Sequence, residues 1–197
     1  MYNRGMPKLW NETIETHRRD VRDAILAATS TLVAEGGLRS VTMSLIAEKA
    51  DIGRATLYKY FPDIEAILKS WHQRQIASHL ESLGEVRDKA GKASERLRAV
   101  LEAYGFISLD THGHHDAELA EFLHHDHQVR HAQKDLFNLI RNLLTEAQEL
   151  GTVRKDVAID ELATYCLHAL AGAGALNSRA AVTRLVDIVL AGLSPRS

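Results

Sequence analysis

Apolar residues in this chain recur three and four positions apart almost from one end to the other. That spacing is the period of an amphipathic helix, and scarcely any segment shows the two-residue alternation of a half-buried strand. Trp10, Ile14, Val21, Ile25, Ala28 and Leu32 form the first stripe. Asn11 as N-cap and Gly36–Gly37 as stop predict a first helix over roughly 11–35. Thr42 then caps a short helix with Leu45, Ile46 and Ala50 inward. The link "DIG" leads to a second short helix, 54–61, which Pro62 cannot continue because its ring removes the backbone N–H and clashes one turn back. Asp63 caps a longer helix with Ile64, Ile67, Leu68, Trp71, Ile76, Leu80 and Leu83 on its buried side. The polar stretch "GEVRDKAGK", 84–92, reads as a connector. Further helices are expected near 93–109, 116–125, 128–150, 159–176 and 179–193, with Gly151 and Ser178 as stop and cap. The fold expected is all-α, about nine helices. Its boundaries suggest an N-terminal arm and a unit of short helices over 1–62, with a helix-turn-helix at about 42–61, and a larger helical unit over 63–197.

Composition narrows the setting. The 197 residues include one cysteine, Cys166, so no intramolecular disulfide can form and a reducing compartment is the simplest inference. The opening "MYNRGMPKLWNETIE" has no apolar core of a signal peptide. The longest apolar run, near "YCLHALAGAGAL", is too short and too rich in small residues for a membrane span. A soluble cytoplasmic protein with no membrane partner is expected. Net charge is −2, but residues 1–74 carry 11 Lys+Arg against 9 Asp+Glu. That weak excess permits a nucleic-acid partner without arguing for one.

The run "ADIGRATLYKYFPD" says more. On a wheel of 100° per residue, Leu57 and Phe61 fall together and inward, while Ala55, Thr56 and Lys59 fall opposite. Tyr58 and Tyr60 sit on the flanks. Two short helices joined by a tight link form a helix-turn-helix, whose second helix can enter the major groove of double-stranded DNA. Small residues allow close approach, and Thr56 and Tyr58 can donate hydrogen bonds to phosphate. Arg54, at the exposed N-terminal end, is placed to reach a guanine edge with two hydrogen bonds. Tyr60 either touches DNA or packs on the first helix.

The stretch "VTMSLIAEKADIGRATLYKYFPDIEAIL", Val41 to Leu68, resembles the DNA-binding domain of the TetR family of transcriptional regulators. Its skeleton "T…IA..A.I…TLY.YF" carries the resemblance, which in motif covers roughly 18–70. The resemblance implies a homodimeric repressor of a palindromic operator, released by a small molecule. It implies phosphate contacts at Thr42 and Tyr58, and base-edge contacts at Met43, Ser44, Arg54, Ala55 and Lys59. One position departs: where the family often has a phosphate-binding lysine, this chain has Ile64. Arg4, Lys8, Arg18, Arg19 and Arg22 are candidates to supply phosphate contacts instead.

The same resemblance implies a ligand cavity among the middle helices and a dimer seam on the last two. Tyr104, Phe122, Phe137 and Tyr165, with Asn138 and His168 for polarity, are the candidate pocket, each of which also reads as ordinary core. "HALAGAGAL", holding Ala169, Ala173 and Leu176, stacks small residues. With Val182, Leu185, Val186, Val189 and Leu190 it reads as a partner seam, which would set two reading helices about 34 Å apart. Cys166 lies in this apolar stretch and reads as a buried, inert thiol.

Seven of the eleven histidines crowd into "THGHHDAELAEFLHHDHQVRH". His124, His127 and His131 are the candidate ligands if it is a metal site, since His127 and His131 share a helix face. The alternatives are a pH-sensitive patch and plain hydrated surface histidines. The His-Asp pair in "HHDH" is a faint sign of a helical metal-dependent hydrolase. No G-x-S-x-G, P-loop or dinucleotide fingerprint accompanies it, so neither an enzyme nor a cofactor is expected.

Overall fold

The computed structural model describes the backbone of residues 6–112 and 127–195 and the side chains of 14–111 and 129–195. Among the described residues the chain forms eight α-helices and no strand: α1 (Met6–Gly36), α2 (Met43–Lys49), α3 (Arg54–Tyr60), α4 (Ile64–Lys89), α5 (Ala93–His112), α6 (His127–Glu149), α7 (Ile159–Ala171) and α8 (Arg179–Leu193). The helix expected over 116–125 lies outside the described residues, as do Phe122 and His124. No described helix is long and apolar enough to cross a membrane. Two compact units divide the chain, Met1–His72 and Gln73–Ser197.

In the first unit, Ile25, Leu26, Ala28 and Val33 of α1, Ile46 and Ala47 of α2, Leu57 of α3, Phe61, and Ile67 and Trp71 of α4 are buried. Each large aliphatic side chain so buried contributes about 1.5–3 kcal/mol. Thr29, fully buried, satisfies its hydroxyl by donating to the Ile25 carbonyl at 2.8 Å. The helix starts earlier than expected, at Met6, so Asn11 is not its cap. Ile14, expected in the buried stripe, is 43% exposed, and every side chain from 14 to 20 is exposed. The stop is as the glycines predicted: Gly37 takes φ +72°. A Cβ on Gly36 would lie 2.6 Å from Ser40 Oγ.

The second unit is built around α5, which packs against α6, α7 and α8. Val100 and Leu101 meet Ile140, Leu144 and Ala147 of α6, Cys166 and Leu170 of α7, and Val186 and Val189 of α8 in one buried cluster. Burial raises the Cys166 thiol to about 12, which keeps it neutral and inert. Two expectations change here. Residues 84–89 belong to α4 rather than to a connector, because Leu83 and Val86 pack on this cluster and Glu85 pairs with Lys89 at 2.8 Å. The α7 helix ends at Ala171, and Gly172–Ala175 tightens into a 3₁₀ turn.

A third feature could not be read from periodicity. A Cβ on Gly105 of α5 would lie 2.6 Å from Val182 Cγ1 of α8, so glycine sets how closely these helices cross. Gly105→Ala should lower stability by about 1–3 kcal/mol through overpacking, although alanine is the better helix former by about 1 kcal/mol. Urea melts of Gly105→Ala, Val182→Ala and the double variant should show non-additivity, with the double variant losing less than the sum. Additive losses would mean that Val182 does not set the crossing.

Candidate nucleic-acid interface

Helix α2 opens on Thr42, whose Oγ1 accepts the Leu45 N–H at 3.3 Å. Its inward side is Ile46 and Ala47, while Leu45, expected inward, is 40% exposed. The turn after α2 is a Schellman motif: Ile52 N–H donates to the Ala47 carbonyl at 3.0 Å and Asp51 N–H to the Glu48 carbonyl at 3.1 Å. Asp51 occupies the left-handed position, φ 52°, that glycine usually takes. The turn is therefore set by hydrogen bonds and not by a glycine at its tightest point. Gly53 follows in extended conformation and caps α3.

Helix α3 separates its two faces as the wheel predicted. Leu57 is fully buried and Phe61 nearly so. Arg54, Ala55, Tyr58 and Lys59 are exposed, and Thr56 and Tyr60 are half-buried. Tyr58 keeps 49% of its surface free. Neither Arg54 nor Lys59 has an ion-pair partner among the described residues. Thr42 and Ser44 are exposed at the start of α2, with Met43 half-buried between them. Phe61 carries the Arg22 guanidinium 4.5 Å from its ring centroid, and Arg22 also donates to Ser70 Oγ at 3.0 Å. Asp63 caps α4 by accepting the Ala66 N–H at 2.8 Å. Lys59 and Tyr60 also join Glu15, Arg18, Arg19 and Arg22 of α1 around an open groove of about 470 Å³.

Two family models match this chain. Residues 25–70 match "Bacterial regulatory proteins, tetR family", and residues 104–195 match "Transcriptional regulator SbtR-like, C-terminal domain". The chain belongs to the TetR family. The transcriptional repressor KstR of Rhodococcus jostii is 37% identical over 85 residues, 43% of this chain and 39% of that protein. The chain thus matches well under half the length of that relative. The structure of a TetR transcriptional regulator from Streptomyces coelicolor superposes with a TM-score of 0.64 at 26% identity, over 89% of this chain and 99% of that one. FadR of Bacillus subtilis, solved in complex with stearoyl-CoA, shares the fold at 18% identity with a TM-score of 0.66, over 86% of this chain and 98% of that one. The family is one of regulators, so the chain is not an enzyme.

Tyr104 and Phe137 are half-buried against the core cluster of the second unit. Burial raises the Tyr104 phenol, and a hydrogen bond with Ser108 opposes that shift. Asn138, Tyr165 and His168, expected in the same pocket, face outward instead. His168 Nδ1 lies 2.9 Å from the Thr164 carbonyl one turn back. Ala173, Val182, Val186 and Val189, expected at a partner seam, are buried inside the chain's own core. Ala169, Leu176, Leu185 and Leu190 are half-buried. The outward side of α7 and α8 instead presents Tyr165 and Ile188, 41% and 65% exposed. A Cβ on Gly192 would lie 2.9 Å from Tyr165 Oη, so the ring rests over that glycine. Sequence reading missed this face because a helical stripe does not say which apolar side meets the chain's own core. Of the histidine cluster, His131 is exposed and its Nδ1 lies 3.4 Å from Asp135 Oδ2. His124 and the His127 side chain lie outside the described residues. Among those described, no group of three or more His, Cys, Asp or Glu gathers to hold a metal.

The left-handed residue between α2 and α3 gives a direct test. Asp51→Val should cost about 1–3 kcal/mol, because a β-branched side chain is strained at that φ. Asp51→Gly should stay close to the parent in a urea melt. Equal behaviour of the two variants would contradict the turn geometry.

Proposed function

We propose that this protein is a DNA-binding transcriptional regulator, acting as a homodimeric repressor of a palindromic operator and released by a small molecule. The observation that carries the reading is the division of α3. Leu57 and Phe61 anchor it from below, while Arg54, Ala55, Tyr58 and Lys59 stand free above. Arg54 and Lys59 read base edges with Ala55 close beside them. Met43 and Ser44 approach from α2. Tyr58, Thr42 and Thr56 donate to phosphates, and Tyr60 borders the same surface. Residues 1–62 carry the DNA contacts in this reading, and residues 63–197 the ligand and the partner. Such a protein works in the cytoplasm.

The partner face that the burial pattern favours is the outward side of α7 and α8, with Tyr165 and Ile188 at its centre. The ligand is proposed to lie among the helices of the second unit, near Tyr104 and Phe137. FadR, which shares the fold, was solved with stearoyl-CoA. Long-chain acyl thioesters are therefore the first class to test.

DNA binding is tested with a duplex that the protein itself selects from a random pool. Arg54→Ala should lose about 1–3 kcal/mol of preference for that duplex over random sequence. Tyr58→Phe should weaken both duplexes alike, by about 0.5–1.5 kcal/mol, since a phosphate contact carries no sequence information. Full retention of preference in Arg54→Ala would remove Arg54 from base reading. For the partner face, Ile188→Glu should shift the protein from dimer to monomer in sedimentation at micromolar concentration. A dimer unaffected by that change would place the seam elsewhere.

A further inference from the structure

The groove between α1 and α3 holds more positive charge than the described residues neutralise. Arg18, Arg19 and Arg22 line it from α1, and Lys59 from α3, against one carboxylate, Glu15. Glu15 lies 3.6 Å from Arg18, with both side chains about two-thirds exposed. An ion pair of that kind is worth under about 1 kcal/mol and gives way to a stronger anion. Arg19 and Lys59 have no acidic partner among the described residues. Arg22 is held by the Phe61 ring and Ser70 Oγ, which fixes its charge beside the groove. At 100° per residue Arg18, Arg22 and Arg19 span about 100° of α1 with Glu15 among them, while Asp23 falls one turn beyond Arg19 at the edge of that arc and Asp20 on the far side. Neither Asp20 nor Asp23 lines the groove, whereas all three arginines do.

Three further observations select the occupant. The groove is open along the surface, so it suits an extended polyanion better than an enclosed small molecule. One of its walls is α3, whose outward residues are assigned above to base edges. No side chain from 14 to 20 is buried, so this part of α1 stands ready for a partner outside its own unit.

We propose that the groove seats the sugar-phosphate backbone of the duplex that α3 reads, with Arg18 and Arg19 as phosphate-binding residues that carry affinity but no sequence preference. The inference rests on the DNA-binding reading above.

The test compares the full-length parent, Arg18→Gln/Arg19→Gln and Arg54→Ala on the selected duplex and on a random 30-base-pair duplex. Affinity is measured from low to moderate salt. Each phosphate contact contributes about 0.9 to the slope of log affinity against log salt, so the double variant, which loses two contacts in each of two protomers, should lose about 3.6 from the slope on both duplexes. Its preference for the selected duplex should stay that of the parent. A melting curve checks folding; should the double variant fail to fold, Arg19→Gln alone should lose about 1.8, one contact in each protomer. An unchanged slope, with the parent binding and Arg54→Ala losing preference, would overturn the groove assignment while leaving the DNA-binding reading intact. A loss of preference in the double variant would also overturn it, because the arginines would then be reading bases. A parent protein that binds neither duplex would sink the DNA-binding reading and this inference with it.

Discussion

The burial of Leu57 and Phe61 is the constraint on which the rest of the first unit depends. A helix of seven residues has too few internal hydrogen bonds to stand alone in water. It persists because Leu57 within it and Phe61 at its end, one turn apart, are taken into a core with residues of α1, α2 and α4. Once those two side chains are fixed, the helical period leaves Arg54, Ala55, Tyr58 and Lys59 no direction but outward. Phe61 extends the effect, since its ring carries the Arg22 guanidinium and so ties the basic side of α1 to the end of α3. The apolar anchor and the cationic groove are linked through one aromatic ring.

The second unit follows a different logic. Its helices are long and each could be stable in several packings. Close approach at Gly105 and Val182 helps choose one. That choice spends the apolar stripe of α8 on the chain's own core and turns Ile188 and Tyr165 outward. A surface of this kind is unusual for residues that would cost little to bury, and it explains why a second copy is the partner considered for it.

Much of this was legible in the chain itself. The α3 wheel, the Thr42, Asp63 and Ser178 caps, and the glycine stop after α1 all rest on local chemistry, where side chain and backbone lie within a few residues of each other. The misreadings share the opposite property. Leu45 looked inward and Val186 looked available because each lies on an apolar stripe, and a stripe wider than its contact gives no account of which edge is covered. The stretch 84–89 looked like a connector because its composition is polar, yet Leu83 and Val86 hold it helical by packing on residues far away in sequence. Asn11 looked like a cap although the helix had already begun at Met6.

From the sequence alone came the all-helical class, the order of the described helices, and the face of α3 that stays in water, because these depend on period, caps and turn residues close together in the chain. Tertiary structure alone decided which apolar face of α8 is core and which is surface. It also decided that three arginines of α1 and a lysine of α3 share one groove. Both outcomes depend on contacts between residues dozens of positions apart, and the free energy of those contacts is set by shape and burial rather than by pattern.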